Sequence, residues 1–290
     1  MSLSSIRICS DLHLEGFLGC SDIGKLARFF IPEHADDKDS FLVLAGDISS
    51  SLEQLIAFIA AVQDRFKKVF FVPGNHELYK HNMQAWNKSF INKATEQLTN
   101  TFCTDSESVK SLEIDGILFI LGTMWGDGGF NFQDQHIIGR YLNDFRLIDV
   151  STSTNESRRF SVQDMMAISK QQKADIKAIL EDQKHSHLKK IVITHHLPSR
   201  QLVSERFIGR NGTDAANGGF VSACDDILAS DFAPAVWFFG HTHDTIDTKL
   251  WDTRLICNPA GYRGEWGSEH NSFMNFEHKK FESASKFIQV

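Results

Sequence analysis

Five short clusters of side chains along the chain could bind metal ions, because they combine carboxylate, imidazole and amide groups. In chain order they are Asp11-x-His13, Gly46-Asp47, Gly74-Asn75-His76-Glu77, His195-His196 and Gly240-His241-Thr242-His243. None of these clusters contains a cysteine, so the available ligand atoms are oxygen and nitrogen. Such ligands suit Mn, Fe, Zn and similar divalent ions, and they disfavour a thiolate-rich structural site.

The spacing within the clusters limits how they could share ions. Residues i and i+2 of an extended strand point to the same face, so Asp11 and His13 could bind one ion together. His241 and His243 have the same spacing, although a loop could divide them between two neighbouring ions. Asp47 stands alone after an apolar run and could bridge two ions with its two carboxylate oxygens.

Each cluster follows one of six short apolar runs that predict β-strands. The runs are residues 5–9, 41–45, 68–72, 117–121, 190–193 and 235–239. Continuous apolar runs of this length are typical of strands that are buried on both faces. Ligand sites in α/β sheets lie beyond the carboxyl ends of the strands, which is where the polar clusters stand.

Helical patterns separate the predicted strands. The sequence Ser51-Leu52-Glu53-Gln54 has the pattern of a capping box, and Ser161 precedes a second apolar helical pattern. Residues 83–98 and 221–228 also predict helices, whereas residues 245–257 predict a hairpin. Strands that alternate with helices and end in a hairpin predict a layered α/β fold.

Together the five clusters resemble the ordered motifs of the calcineurin-like metallophosphoesterases: D-x-H, G-D, G-N-H-[DE], a His near a Pro, and G-H-x-H. The resemblance covers about residues 6–260 and is strongest to a small bacterial-type branch with G-N-H-E, T-H-H-x-P-S and G-H-T-H-D. It implies a four-layer αββα sandwich, in which helices flank two mixed β-sheets, with residues 1–290 forming a single domain. It also implies an enzyme that hydrolyses phosphoesters with bound metal.

The resemblance further implies a dinuclear centre of two divalent metal ions, bridged by Asp47. One ion would be held by Asp11, His13, Asp47 and His243. The other ion would be held by Asp47, Asn75, His195 and His241. Of the adjacent pair His195 and His196, the family generally uses the first. The implied catalytic residues are His76 and its neighbour Asn75 in the G-N-H motif.

Two departures from the family pattern narrow the expected substrate. In the protein-phosphatase branch the G-D motif continues into D-R-G, and an arginine precedes G-N-H-E. Here serines follow Ile48, and Pro73 precedes Gly74, so those phosphate-binding and histidine-orienting residues are missing. We therefore expect hydrolysis of a phosphodiester of a small molecule or nucleotide, and the sequence does not identify the residue that orients His76.

Three alternative functions stay open at this point. They are a phosphomonoesterase of the same fold, a non-catalytic metal-binding scaffold and a nuclease that acts with a partner. All seven implied metal ligands and His76 are present, which argues against the scaffold. The chain has 30 basic and 37 acidic residues, a formal charge of −7, and this balance argues against a nucleic-acid partner.

Composition also bears on location. The longest apolar run, residues 55–62, is far shorter than the roughly 18–20 residues that a membrane span needs, so we expect no membrane partner. The first residues lack the pattern of a secretory signal. Five scattered cysteines without a CxxC pair indicate reduced thiols, so we expect a cytoplasmic protein. The oligomeric state is not indicated.

Overall fold

Two mixed β-sheets form the centre of the molecule. The computed structural model describes residues 5–17, 22–129, 132–154, 156–208, 213–266 and 288–290. The strands of these ranges are β1 (Ser5–Cys9), β2 (Ser40–Ala45), β3 (Lys68–Val72), β4 (Thr101–Cys103), β5 (Lys110–Ile114), β6 (Ile117–Leu121), β7 (Asp149–Ser151), β8 (Ser157–Arg159), β9 (Lys189–Ile193), β10 (Val236–Phe239), β11 (Ile246–Leu250), β12 (Thr253–Cys257) and β13 (Ile288–Gln289).

Each of the two large sheets has parallel strands in its centre and an antiparallel strand at one or both of its edges. The first sheet has the order β13-β1-β2-β3-β4, and only β13 runs antiparallel to its neighbour among the described strands. The second has the order β11-β12-β10-β9-β6-β5, with β11 and β5 antiparallel at its two edges. Strands β7 and β8 pair separately. In each sheet, the carboxyl ends of the parallel strands therefore all lie on the same side of the sheet, at the ends of the strands.

Helices cover the outer faces of both sheets. They are α1 (Ile23–Phe30), α2 (Leu52–Gln63), α3 (Met83–Gln97), α4 (Phe132–Tyr141), α5 (Asp144–Leu147), α6 (Val162–Glu181) and α7 (Asp225–Leu228). Apolar side chains of α1, α2 and α3 pack in one buried cluster with the outer faces of β2 and β3. Apolar side chains of α6 and α7 pack in a second buried cluster with the outer faces of β9, β10 and β12.

A third buried cluster fills the space between the sheets, so the sheets pack face to face. Phe70 of β3 stacks on Phe119 of β6 with ring centroids 4.0 Å apart. Phe41 of β2 contacts the same Phe119 ring edge-on at 5.2 Å. Aromatic pairs of this kind contribute about 0.5–1.5 kcal/mol beyond the area that they bury. The layers are helix, sheet, sheet and helix, which confirms the αββα sandwich.

Strand β2 shows why the apolar runs are continuous. Successive side chains of a strand point to opposite faces. Phe41, Val43 and Ala45 belong to the cluster between the sheets, and Leu42 and Leu44 belong to the cluster beneath the helices. Because both faces of the strand are buried, no position of the run can be polar without a partner.

The predicted elements agree with the structure except in one region. All six predicted strands are present, and residues 245–257 form the β11–β12 hairpin. Ser51 caps α2 by accepting from the Gln54 backbone N–H, but the Gln54 side chain bonds Ser49 and Leu14 instead of completing the predicted capping box. Ser161 caps α6 in a reciprocal capping box. The helix predicted over residues 221–228 was wrong in its first half, because only Asp225–Leu228 is helical. Val221 instead forms a parallel bridge with Leu197.

None of the described helices is both long enough and apolar enough to cross a membrane. Cys9, Cys103, Cys224 and Cys257 are free thiols, and Cys20 lies outside the described residues.

A buried ion pair ties the first strand to the segment that precedes β2. Arg7 of β1 is wholly buried, and its guanidinium donates to the Asp37 carboxylate and to the carbonyl oxygen of Pro32 at 2.8 Å. Arg65 adds a second contact to Asp37, at 2.6 Å. A buried charge that loses its partner is left uncompensated, at a cost of about 3–5 kcal/mol.

Replacement of Asp37 by alanine should therefore lower the free energy of unfolding by about 3–5 kcal/mol, as measured by urea denaturation. Asp252→Ala provides the control, because the Asp252 side chain is 97% exposed beside Lys249, and its stability should match the wild type. A loss for Asp37→Ala no larger than that of the control would contradict a structural role for this pair.

Candidate metal centre

The sequence clusters come together where the carboxyl ends of strands from both sheets meet. Strands β1, β2 and β3 of the first sheet end just before Asp11, Asp47 and Asn75. Strands β9 and β10 of the second sheet end just before His195 and His241. Backbone hydrogen bonds connect these loops. The Gly240 N–H donates to the His195 carbonyl, and the Asp11 N–H donates to the Gly46 carbonyl. The face-to-face packing of the sheets thus builds one site from five loops.

The first group of candidate ligands contains Asp11, His13 and His243, whose ligand atoms all lie within 4.8 Å of one another. The Nε2 atoms of His13 and His243 are 3.2 Å apart. The Nε2 atom of His243 is 3.5 Å from Oδ1 of Asp11. These are the non-bridging residues that the family resemblance assigns to the first ion.

The second group contains Asp47, His195 and His241 within the same limit of 4.8 Å. Nε2 of His195 lies 3.1 Å from Nδ1 of His241 and 3.5 Å from Oδ2 of Asp47. Oδ1 of Asn75 lies 3.2 Å from the same His195 nitrogen. The structure therefore places together the four residues that the resemblance assigns to the second ion.

The donor chemistry of both groups fits a cation. The Ala45 carbonyl oxygen lies 2.9 Å from Nδ1 of His195 and accepts a hydrogen bond from it, so Nε2, which faces Asn75 and Asp47, is the nitrogen left to bind an ion once its proton is displaced. The Glu265 carboxylate does the same for His243, at 2.8 Å from its Nδ1. Lone pairs that converge on oxygen and nitrogen acceptors repel one another unless a positive charge lies among them.

Asp47 lies between the two groups. Its Oδ2 atom is 3.5 Å from Nε2 of His195 and 4.0 Å from Nε2 of His13, so this single oxygen faces both. Its Oδ1 atom instead accepts a hydrogen bond from the His76 backbone N–H at 2.8 Å. The sequence had suggested that the two oxygens would each face one ion, and the geometry differs from that expectation.

His241 and His243 belong to different groups, which was the second of the two arrangements that their spacing allowed. Both residues have left-handed φ angles, 69° and 52°, so they do not lie on an extended strand whose alternate side chains would share a face. Asp11 and His13 are also left-handed, at 53° and 46°, so the argument from an extended strand was wrong although the two side chains share a group. Non-glycine residues in this conformation are strained and concentrate at functional sites.

Glycine is required at the turn before Asp47. Gly46 has a φ of 83°, and a Cβ atom there would lie 2.4 Å from Nδ1 of His195. Gly74 lies equally close, because its Cβ would meet the Asp47 carboxylate at 2.2 Å. Larger residues at these two positions would push candidate ligands away from the centre.

Glu77 holds two of the loops in place, a role that the sequence reading missed. Its buried carboxylate accepts hydrogen bonds from four backbone N–H groups, those of Asp47, Ile48, Ser49 and Gly74, at 2.6–3.0 Å. Burial and the negative charge of Asp47 raise the pKa of Glu77 to about 7. The only available signal was its position after G-N-H, which gave no indication of this backbone contact.

The electrostatics around Asp47 favour positive charge. Burial raises the pKa of Asp47, but the neighbouring His195 and His76 outweigh it and hold the pKa well below its ordinary value. Burial lowers the pKa of His195, but the charge of Asp47 overcomes this and raises the pKa to about 9.

His196 differs, because burial and the charge of His195 lower its pKa to about 3 and keep it neutral. It packs on the rings of Trp125 and His241.

His76 stands beside both groups with each ring nitrogen engaged. Its Nδ1 is 3.2 Å from Oε1 of Glu15, and its Nε2 is 2.9 Å from the Tyr262 hydroxyl. Its ring lies against Tyr79, with centroids 4.2 Å apart. Sequence reasoning missed Glu15 and Tyr262 because they come from separate loops, and it also missed Tyr79, which lies three residues after His76. Only the structure shows that they meet at His76.

Asn75 is oriented by a buried acid. Oδ1 of Asp144 accepts hydrogen bonds from Nδ2 of Asn75 at 2.9 Å and from the Tyr79 hydroxyl at 2.8 Å. Because the amide nitrogen is held by Asp144, the amide oxygen turns toward His195. Partners of this kind fix the orientation of metal ligands in proteins.

The fold and this site define a class of protein, and comparison with known sequences gives its family. The model of the calcineurin-like phosphoesterase family matches residues 4–245, so the chain belongs to that family. The resemblance inferred from the order of the five motifs is thereby confirmed. Together with the two ligand groups, membership makes the chain a metal-dependent phosphoesterase.

Two relatives in sequence differ in how much of the chain they match. The uncharacterized protein L509 of Acanthamoeba polyphaga mimivirus is 28% identical over 274 residues, which cover 90% of this chain and 92% of the viral protein. The [acyl-carrier-protein] phosphodiesterase PptH of Mycobacterium tuberculosis is 37% identical over 73 residues, which cover 25% of this chain and 20% of PptH.

Solved structures share the fold. The phosphopantetheinyl hydrolase PptH of Mycobacterium tuberculosis superposes with a TM-score of 0.68 at 18% identity, covering 100% of this chain and 96% of PptH. A dimetal phosphatase from Danio rerio gives a TM-score of 0.52 at 14% identity, covering 89% and 88% of the two chains. At these identities the likeness concerns the fold alone.

The division of His241 and His243 between two groups gives a test by metal content. Either histidine replaced by alanine should leave about one ion per chain where the wild type binds two, since each change removes a ligand from one group only. Metal per chain is measured by mass spectrometry after gel filtration in Mn²⁺. His187→Ala, which replaces an exposed histidine outside the five clusters, should keep both ions. Two ions retained by either ligand variant would refute the assignment of that histidine.

Proposed function

We propose that the chain hydrolyses a phosphodiester of a small molecule with two divalent cations bound around Asp47. Asp11, His13 and His243 would hold one cation, and Asn75, His195 and His241 would hold the other. The single observation that carries the proposal is the Asp47 Oδ2 atom, which faces both histidine groups at 3.5 and 4.0 Å. When bound, such a pair of cations activates water and neutralises the phosphate oxygens.

The chain's own residues supply the remaining chemistry. In hydrolysis a water oxygen forms a bond to phosphorus, one P–O ester bond breaks, and the departing oxygen takes a proton. His76 is placed to donate that proton from Nε2, which lies beside the Tyr262 hydroxyl at the cavity wall. The products are an alcohol and a phosphomonoester, and the proton released by water restores the balance. A positioned proton donor contributes about 10²–10⁴-fold to the rate.

The charge of the cavity supports a diester over a monoester or a nucleic acid. The cavity next to the site has a volume of about 280 Å³. Arg206 is the one arginine or lysine among the described residues that line it. Its guanidinium is already engaged, 3.1 Å from the Asp244 carboxylate and 3.3 Å from the Thr242 carbonyl oxygen. Apart from the two proposed cations and the histidines beside them, the walls thus offer little positive charge for a second phosphate or a dianionic monoester. The relative PptH of Mycobacterium tuberculosis is an [acyl-carrier-protein] phosphodiesterase, which agrees with this preference.

The aromatic residues at the mouth of the cavity favour a substrate in which one of the two ester groups is uncharged. Tyr141, Phe207 and Tyr262 line it and expose 59%, 42% and 44% of their surface. Large apolar side chains in this chain are otherwise mostly buried, and an exposed cluster of them marks a binding surface. We infer that one ester group of the substrate carries an apolar or aromatic face that packs there.

The central activity is tested with protein stripped of metal and reloaded separately with Mn, Fe, Zn, Ni or Mg. We expect turnover of bis-p-nitrophenyl phosphate to exceed that of p-nitrophenyl phosphate. His76→Ala should slow diphenyl phosphate, whose phenolate needs a proton, by about 10²–10⁴-fold, and should slow the p-nitrophenyl diester less. His187→Ala is the matched control and should retain full activity.

Three results would contradict the proposal. Absence of bound metal would contradict the proposed pair of cations. A clear preference for p-nitrophenyl phosphate would make the chain a monoesterase. An equal loss on both diesters in His76→Ala would remove His76 as the proton donor.

The apolar mouth makes a separate prediction about specificity. Phe207→Ser should raise the KM for bis-p-nitrophenyl phosphate by about 2–10-fold, the range expected for one aromatic contact, with kcat unchanged. The KM for ethyl p-nitrophenyl phosphate, which has only one aromatic arm, should change less. Trp251→Ser is the control, because Trp251 is similarly exposed, at 48%, but lies in the β11–β12 turn. Equal changes with both esters would argue against an aromatic subsite.

A further inference from the structure

The orientation of His76 depends on a carboxylate that lies outside the five motifs. Glu15 belongs to a single 3-10 turn, Leu14–Gly16, that directly follows His13. Its Oε1 atom lies 3.2 Å from Nδ1 of His76 and 3.2 Å from Nδ1 of His13. Its Oε2 atom accepts a hydrogen bond from the Ser50 backbone N–H at 3.1 Å. The carboxylate is therefore held at both oxygens.

Glu15 supplies an acidic group near His76 that the segment after Asp47 lacks. The segment after Asp47 has serines where the protein-phosphatase branch has acidic and basic residues. In this chain the backbone of that segment, at Ser50, binds the carboxylate of Glu15 instead. An acid thus reaches the histidine from the loop after β1 rather than from the loop after β2.

A carboxylate at Nδ1 has a defined effect on an imidazole. It keeps a proton on Nδ1 and prevents rotation of the ring, so Nε2 stays directed at the cavity. Because Oε1 of Glu15 lies 3.2 Å from Nδ1 of His76 and Oε2 is held by the Ser50 backbone N–H, the carboxylate is in place to accept a hydrogen bond from the ring.

We propose that Glu15 is the positioning residue for His76, holding its Nε2 atom toward the departing oxygen of the substrate. The inference rests on the proposed function, since it requires His76 to be the proton donor. Glu15 touches neither the substrate nor the reacting atoms, and it acts only through the histidine ring.

One competing explanation must be separated, because Glu15 also contacts His13. If Glu15 acted only through this candidate metal ligand, its loss would weaken metal binding whatever residue stood at position 76. If it acts through His76, its loss matters only while His76 is present. A double-mutant cycle between the two positions distinguishes these cases.

The experiment compares Glu15→Ala in the wild-type and in the His76→Ala background, with diphenyl phosphate as substrate and Mn²⁺ at saturation. We expect kcat to fall about 10–100-fold in the first background and to change less than about 2-fold in the second. Glu15→Gln keeps an acceptor oxygen without the charge and should fall between wild type and alanine. Glu53→Ala, on an exposed helix position whose side chain is 75% accessible, is the matched control.

Two further readouts do not depend on activity. Glu15→Ala should still bind two ions per chain. In ¹⁵N spectra, the His76 Nδ1–H signal, assigned by its absence from His76→Ala, should be lost through faster exchange with water. An equal fall of kcat in both backgrounds, or a loss of bound metal, would overturn the role through His76 and leave the phosphodiesterase proposal intact. Wild-type protein without turnover would overturn both.

Discussion

The site depends on one buried carboxylate that must face two groups of histidine nitrogens at once. Oδ2 of Asp47 meets this requirement only because its other oxygen is engaged by the His76 backbone and because the adjoining turn is fixed. Glu77 fixes that turn through hydrogen bonds to four backbone N–H groups. Any shift of the turn would alter both candidate ion sites together, since the same carboxylate belongs to each.

Side chains around this centre mostly act by restricting orientation. Glu265 fixes the ring of His243, and the buried Asp144 fixes the amide of Asn75. Each partner leaves a specific nitrogen or oxygen directed at the centre, so the ligand atoms need little rearrangement to bind a cation. The strained left-handed backbone at the ligand positions is consistent with the same requirement, because it aims side chains that an extended strand would point elsewhere.

Much of the framework could be predicted because it follows from local rules. Strand β2 is apolar at every interior position since both of its faces are buried, and it ends at Ala45, just before Asp47. The partners of the motifs could not be predicted, because Glu15 meets His76 across 61 residues and nothing in either segment signals the contact. The helix predicted over residues 221–228 was too long for a related reason, since the bridge between Val221 and the distant Leu197 overrides the local pattern.

The most direct test of the account is anomalous X-ray diffraction from crystals grown with Mn²⁺, because it locates the ions without reference to activity. We predict two peaks about 3.5–4 Å apart, one on each side of Oδ2 of Asp47. One peak should lie near Nε2 of His13 and the other near Nε2 of His195. A single peak, or two peaks that do not share the Asp47 carboxylate, would contradict the central claim.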